Sequence, residues 1–256
     1  MTTEVRMDRI SWVDYQSRLE DRPVLFLPCG ALEQHGPHLP LGVDAMLATD
    51  IACRVAAGLG GLVAPPLNYG YKSQARCGGG QTFPGTTSLD GEHIIGVVRD
   101  IIREFARHGV ERLVLVDGHY ENQWFLTEAI ETALRELAPR STSLRVVRSE
   151  YWEFCPQQVL DEIFEDGFPG FALEHAALIE TSMMLALHPE LVAMDRLPDD
   201  GPARFPVHDH YPQDRRGVPP SGVLASAAGA SAAKGEQLVA AICTAMTQAL
   251  AEEFAT

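Results

Sequence analysis

Short apolar runs alternate along this chain with longer stretches whose apolar residues recur at helical spacing. Val24-Leu25-Phe26-Leu27-Pro28 is unbroken and short, the mark of a buried strand. From Asp44 to Leu59, the positions Met46, Leu47, Ile51, Val55 and Leu59 predict a helix. Leu62-Val63-Ala64 is a second strand. Pro65 to Leu89 is rich in turn formers, including Gly78-Gly79-Gly80, and reads as loop. A helix follows, capped by Ser88 or Asp90 and stopped by Gly109 after His108. Its buried stripe is Ile94, Ile95, Val98, Ile101, Ile102 and Phe105. Arg112 to Val116 predicts a third strand, Asn122 to Leu137 a helix, and Leu144 to Val147 a fourth strand. Ala176 to Leu187 reads as helix, ending before Pro189. Gly201 to Ala230 is proline-bearing loop, and a closing helix runs from about Ser231 to Phe254.

Strand and helix in alternation predict an α/β fold with a mainly parallel sheet and helices on both faces. No repeat or linker divides the chain, so residues 1–256 are expected to form a single domain. In open α/β sheets ligands bind beyond the carboxyl ends of the strands. Four segments therefore belong on one edge: Glu33-Gln34-His35, Tyr69 to Lys72, Asp117 to Glu121, and Tyr151-Trp152.

Composition narrows the partners. Twenty Lys and Arg against 35 Asp and Glu give a net charge of −15, which repels nucleic acid and anionic membranes. No apolar run reaches the roughly 18 residues of a membrane helix. Met1 to Tyr15 carries acids and no apolar stretch, so no signal peptide is expected there. The five cysteines are scattered and form no C-x-x-C pair, which suits a reducing compartment; a cytoplasmic location is expected.

The chemistry lies in two of the strand-end segments. Glu33-Gln34-His35-Gly36-Pro37-His38 is followed by Asp44, and the other segment is Asp117-Gly118-His119-Tyr120-Glu121-Asn122. Glu33, His35, Asp44, His119 and Glu121 supply oxygen and nitrogen ligands without thiolate, which suits zinc, manganese or similar ions. Paired metal ions commonly share a carboxylate and lower the pKa of water to about 7. Asp44 can bridge two ions, and read alone it serves equally well as an N-cap. His38 reads as a structural histidine. Glu174-His175 and Glu180 lie at the start of the Ala176 helix. His175 and Glu180, five residues apart, would sit about one and a half turns from each other. By pattern alone they are as readily capping or core residues as functional ones.

These segments resemble the creatininase (creatinine amidohydrolase) family. The resemblance is carried by Ala31 to Pro40 with Val43-Asp44, and by Gly118-His119-Tyr120-Glu121-Asn122. It continues through Tyr69 to Gln74, Gly85 to Gly91, Tyr151-Trp152, Glu180-Thr181-Ser182 and Lys234-Gly235-Glu236. It implies the creatininase α/β fold and two metal ions per subunit, zinc, manganese or both. Glu33, Asp44 and His119 would hold one ion; His35, Asp44 and Glu121 the other. Metal-activated hydroxide would open creatinine to creatine, His175 would protonate the departing ring nitrogen, and Glu180 would orient His175 or the substrate. Tyr120 and Trp152 would line the pocket, and the assembly would be a homohexamer.

The departures from creatininase cluster at the pocket. Cys77 replaces a serine, and Phe171-Ala172 replaces Trp-Asp. Losing the aspartate removes a partner for a guanidinium-like group, and an unpaired buried polar group costs about 1–3 kcal/mol. Creatinine is thus the nearest candidate substrate, and another small cyclic amide or formamide is the second. A non-catalytic metal-binding protein and a Cys77 nucleophile are further alternatives; the latter lacks a nearby base in the sequence.

Overall fold

A computed structural model of the chain describes residues 4–140, 143–165 and 167–255. In chain order the elements are α1 (Trp12–Leu19), β1 (Val24–Cys29), α2 (Val43–Leu59), β2 (Leu62–Val63), α3 (Ala75–Gly78) and α4 (Gly91–Arg107). Then come β3 (Arg112–Asp117), α5 (Gln123–Leu137), β4 (Arg145–Glu150), α6 (Gln157–Ile163), α7 (Leu178–Leu187) and α8 (Ala232–Phe254). The four strands are parallel, in the order β2-β1-β3-β4.

Alternation along β1 divides the interior in two, because successive side chains point to opposite faces of a sheet. Leu25 and Leu27 pack with Leu113 and Leu115 against Ile94, Val98 and Ile102 of α4 and Leu126 of α5. Val24 and Phe26 pack with Val114 and Val116 against Leu47, Ile51 and Val55 of α2, with α7 and α8 behind them. Each fully buried leucine or isoleucine contributes about 1.5–3 kcal/mol through the hydrophobic effect. The expected parallel sheet with helices on both faces is therefore present. Among the described residues no helix is long and apolar enough to cross a membrane.

Some details differ from the sequence reading. α1 and α6 were not anticipated, nor was the single turn α3 inside the Pro65 to Leu89 loop. Asp90, not Ser88, precedes α4; its side chain makes no cap hydrogen bond and pairs with Lys72. β4 runs on to Glu150 as a half-buried edge strand. α7 begins at Leu178 rather than Ala176, because Ala176 has a φ of 54° in the left-handed region and cannot continue a helix.

This topology positions the site. β1 leads through α2 to β2 on one side, while β3 lies on the other side of β1. The crevice of such a sheet opens where the order reverses, here beyond the ends of β1 and β3. Cys29 pairs with Asp117 in register, so the segments after both strands leave the sheet side by side.

Candidate metal centre

Asp44 reaches the crevice from the first turn of α2. Gly42 is the N-cap of that helix, and Asp44 makes no capping contact, so its carboxylate is free for the crevice rather than serving as a cap. The approach of α2 to the end of β3 depends on Gly118, where a Cβ would stand 2.3 Å from the Asp44 carbonyl oxygen.

The Nδ1 of His119 lies 3.0 Å from Glu33 Oε2 and 3.0 Å from Asp44 Oδ2. The Nε2 of His35 lies 3.0 Å from Asp44 Oδ1 and 3.6 Å from Glu180 Oε2. Each ring spends its other nitrogen on a backbone carbonyl: His119 Nε2 donates to Tyr71 O at 3.0 Å, and His35 Nδ1 to Glu33 O at 3.1 Å. Such outer hydrogen bonds fix the tautomer and aim of a metal-binding imidazole.

Glu33 Oε1, His35 Nε2 and Asp44 Oδ2 are buried without an aligned hydrogen-bond partner, although charged atoms stand within 3.0 Å of the latter two. Proximity without alignment is the arrangement of atoms that converge on a common ion. Glu33, Asp44 and His119 form one group able to hold a metal, and His35, Asp44 and Glu180 form another. Glu33, His35 and His175 form a third. The donor set therefore fits divalent ions shared through Asp44. Room for the Glu33 carboxylate comes from Gly78, where a Cβ would fall 2.0 Å from Oε1.

Charge balance points the same way. Burial alone would lower the pKa of His35, but Asp44 and Glu180 hold it well above the usual imidazole range. Glu121 and Glu33 do the same for buried His119. Burial would raise the Asp44 carboxyl, yet His35 and His119 bring it below its ordinary value. Without ions, protons on these rings neutralise the acids; cations can take their place.

Of the expected ligands, Glu121 stands apart. Its Oε1 accepts from the Gln74 backbone N–H at 2.6 Å, and its Oε2 lies 3.4 Å from His119 Nε2, on the side of the ring away from Asp44. Burial pushes its pKa up to about 7. Glu180 is the carboxylate that accompanies His35 and Asp44 here. The spacing of about one and a half helical turns expected between His175 and Glu180 is not found, because α7 begins only at Leu178. The left-handed Ala176 turns the chain between them, and its N–H donates to Glu180 Oε2 at 2.6 Å. Glu174 Oε2 accepts from Ile179 N–H at 2.8 Å, so two acids receive the start of α7. His38 is structural, as anticipated: it is buried, with Nε2 2.9 Å from Thr181 Oγ1.

Glu33, Asp44, His119, Glu121, His175 and Glu180 share a cavity of about 40 Å³ with Cys77, Tyr120, Trp152 and Phe171. The indole of Trp152 lies nearly parallel to Tyr120, at 10° and 6.5 Å, and 6.4 Å from Phe171. The four expected pocket residues thus meet at the metal groups. Ala172 does not line this cavity; it borders a wider depression of about 740 Å³ that meets it at Cys77, Tyr120 and Glu121. Burial, with Glu121 nearby, pushes the Cys77 thiol up to about 12, so it is neutral near pH 7 and unsuited to act as a nucleophile. Sequence reading gave no role to Gln34 or Glu174, both buried here. An acid just before a helix start was the available signal for Glu174; nothing local marked Gln34.

A buried acid–histidine centre at the switch point of a parallel sheet defines an α/β protein built to hold divalent ions. Residues 8–250 match the family model described as Creatininase: Creatinine amidohydrolase, and the chain belongs to the creatininase family. It is 47% identical to the creatinine amidohydrolase of Pseudomonas putida over 99% of each chain. A mutant creatininase complexed with creatine superposes with a TM-score of 0.96 at 46% identity, covering 98% of this chain and 99% of that one. A manganese creatininase gives a TM-score of 0.96 at 47% identity, with the same coverage.

Proposed function

We propose that this chain is a binuclear-metal amidohydrolase that opens creatinine to creatine. The reading rests on one observation above others. Two imidazoles, their outer nitrogens tied to backbone carbonyls, aim the inner ones at carboxylates on the floor of a small aromatic cavity.

Glu33, Asp44 and His119 would hold one ion; His35 and Asp44 would hold the other, with Glu121 as the family resemblance implies. The position of Glu180, 3.6 Å from His35 Nε2, favours a second reading in which Glu180 is that third ligand. Bound zinc or manganese supplies Lewis acidity toward a carbonyl and lowers the pKa of water. The remaining work falls to the chain. Tyr120, Trp152 and Phe171 hold a small flat ring, and the Cys77 loop closes the cavity against it. As the water oxygen joins the carbonyl carbon and the ring C–N bond breaks, His175 carries a proton to the departing nitrogen. Glu180 orients His175 or the substrate.

A related hydrolase acting on another small cyclic amide or formamide is the second functional reading. It is favoured by Cys77 and Phe171 on the cavity wall, where creatininase has serine and tryptophan. A cytoplasmic homohexamer is the expected setting, in keeping with five free cysteines and the family resemblance. The deciding experiment is a turnover screen of zinc- and manganese-loaded protein, creatinine first and other small cyclic amides next. Creatine release supports the first reading; turnover of another amide alone supports the second.

A further inference from the structure

Gln34 sits between two of the metal-site residues, Glu33 and His35, and is 5% exposed. Its carboxamide is locked by three backbone groups. Oε1 accepts from Gly36 N–H at 2.9 Å. Nε2 lies 3.1 Å from Gly78 O and 3.0 Å from Gly222 O. The amide cannot be turned over, because its oxygen would then face two carbonyl oxygens and its nitrogen a donor. Both amide protons are therefore committed to carbonyls.

His175 completes the cluster. Its Nε2 stands 2.9 Å from Gln34 Nε2 and 2.8 Å from the Gln34 backbone oxygen. The amide has no proton left to give this nitrogen. A ring that accepted at Nε2 would face a carbonyl lone pair and a saturated donor, with no hydrogen bond to either. The arrangement is satisfied when His175 Nε2 carries the proton and donates it to Gln34 O. Nδ1 then keeps its lone pair. His35 and His119 follow the same rule, each with one nitrogen tied to a backbone carbonyl.

We propose that Gln34 is a positioning residue, whose locked carboxamide fixes His175 as the Nε2–H tautomer with Nδ1 free for the reaction, and clamps the Gly78 and Gly222 loops around that ring. For the part His175 plays, this rests on the amidohydrolase reading above. It adds the identity of the working nitrogen and the residue that selects it. The Gly78 loop carries Cys77, so the clamp also sets the distance between one cavity wall and the ring.

Zinc-loaded protein labelled with ¹⁵N-histidine supplies the first readout. His175 is assigned as the signal lost in His175→Gln. The expected spectrum shows a protonated Nε2 and an unprotonated Nδ1; protonation at Nδ1 alone overturns the proposal, whatever the activity. The second readout is Gln34→Met, which keeps the side chain's length and removes both donors. Loss of an outer hydrogen-bond partner at a metal site typically lowers activity by about 10–100-fold. The expectation for the variant is a kcat reduced within that range, a KM changed less than about threefold, and unchanged zinc content. Wild-type kcat with full zinc overturns the clamp. A variant that does not fold leaves the decision with the wild-type spectrum. Failure of the wild-type protein to turn over creatinine contradicts the proposed substrate, and the spectrum still decides the tautomer.

Discussion

His119 Nδ1 and Asp44 Oδ2 stand 3.0 Å apart, although one residue follows β3 and the other belongs to the first turn of α2. The contact joins a strand end to the crossover helix of the neighbouring strand, so the crevice between β1 and β3 is closed by chemistry and not by apolar packing. Asp44 also reaches His35 through its other oxygen, and so belongs to the groups on both sides. Asp44→Asn is expected to lose both ions, and His119→Ala to lose at least the ion shared with Glu33. Metal analysis after gel filtration checks this; full metal content in Asp44→Asn contradicts the shared site.

Glu121 and Glu180 can be separated by the same measurement. If Glu121 completes the second ion, Glu121→Gln lowers metal affinity, while Glu180→Gln keeps both ions and loses rate. The opposite pattern assigns Glu180 as the ligand, as the 3.6 Å separation from His35 favours. Loss of one charged ligand is expected to weaken binding by about 10-fold or more.

Glu174 gives a pH prediction. Burial, opposed by the Ile179 N–H, pushes its carboxyl up to about 8. The folded chain therefore holds a proton that the unfolded chain releases above its ordinary carboxylate range. The associated stability is fully present below about pH 4.5 and is lost as pH rises through 8. Each pH unit inside that window is worth about 1.4 kcal/mol at most. With chelator present, Glu174→Gln is expected to raise Tm relative to wild type at pH 8.5 and much less at pH 5. Equal differences at the two pH values contradict it.

Ala172 borders the outer depression and not the inner cavity. Restoring an acid there with Ala172→Asp should therefore act on substrate capture. The expected change is a KM for creatinine several-fold lower, with kcat within about twofold. A kcat effect without a KM effect places residue 172 nearer the reacting atoms than the structure does.

The strands and long helices were legible because their burial is written locally. Leu25 and Leu27 alternate with Val24 and Phe26, and α4 buries Ile94, Val98, Ile102 and Phe105 at helical spacing. α1 was not legible from hydrophobicity, because Trp12 and Val13 are exposed; it is held by a capping box between Ser11 and Asp14. α6 buries only Leu160 and Ile163, too few for a period. The strand-end rule put the Glu33–His35 and Asp117–Glu121 segments on one edge, where the structure has them; Asp44 joins them from the first turn of α2. The rule could not set side-chain direction: Glu121 turns toward the Gln74 N–H and His119, and Glu180 stands beside His35. Nor could it reveal Gln34, whose partners Gly78, His175 and Gly222 are 44, 141 and 188 residues away.

The central claim is that metal ions held by Glu33, His35, Asp44 and His119 hydrolyse creatinine. Its most direct test is creatine formation from creatinine by the purified protein, stripped of metal and then reloaded with zinc or manganese. The account predicts no creatine from the stripped protein, restored turnover on reloading, and none from reloaded Asp44→Asn. Undiminished turnover in the stripped protein, or none in the fully loaded wild type, contradicts it.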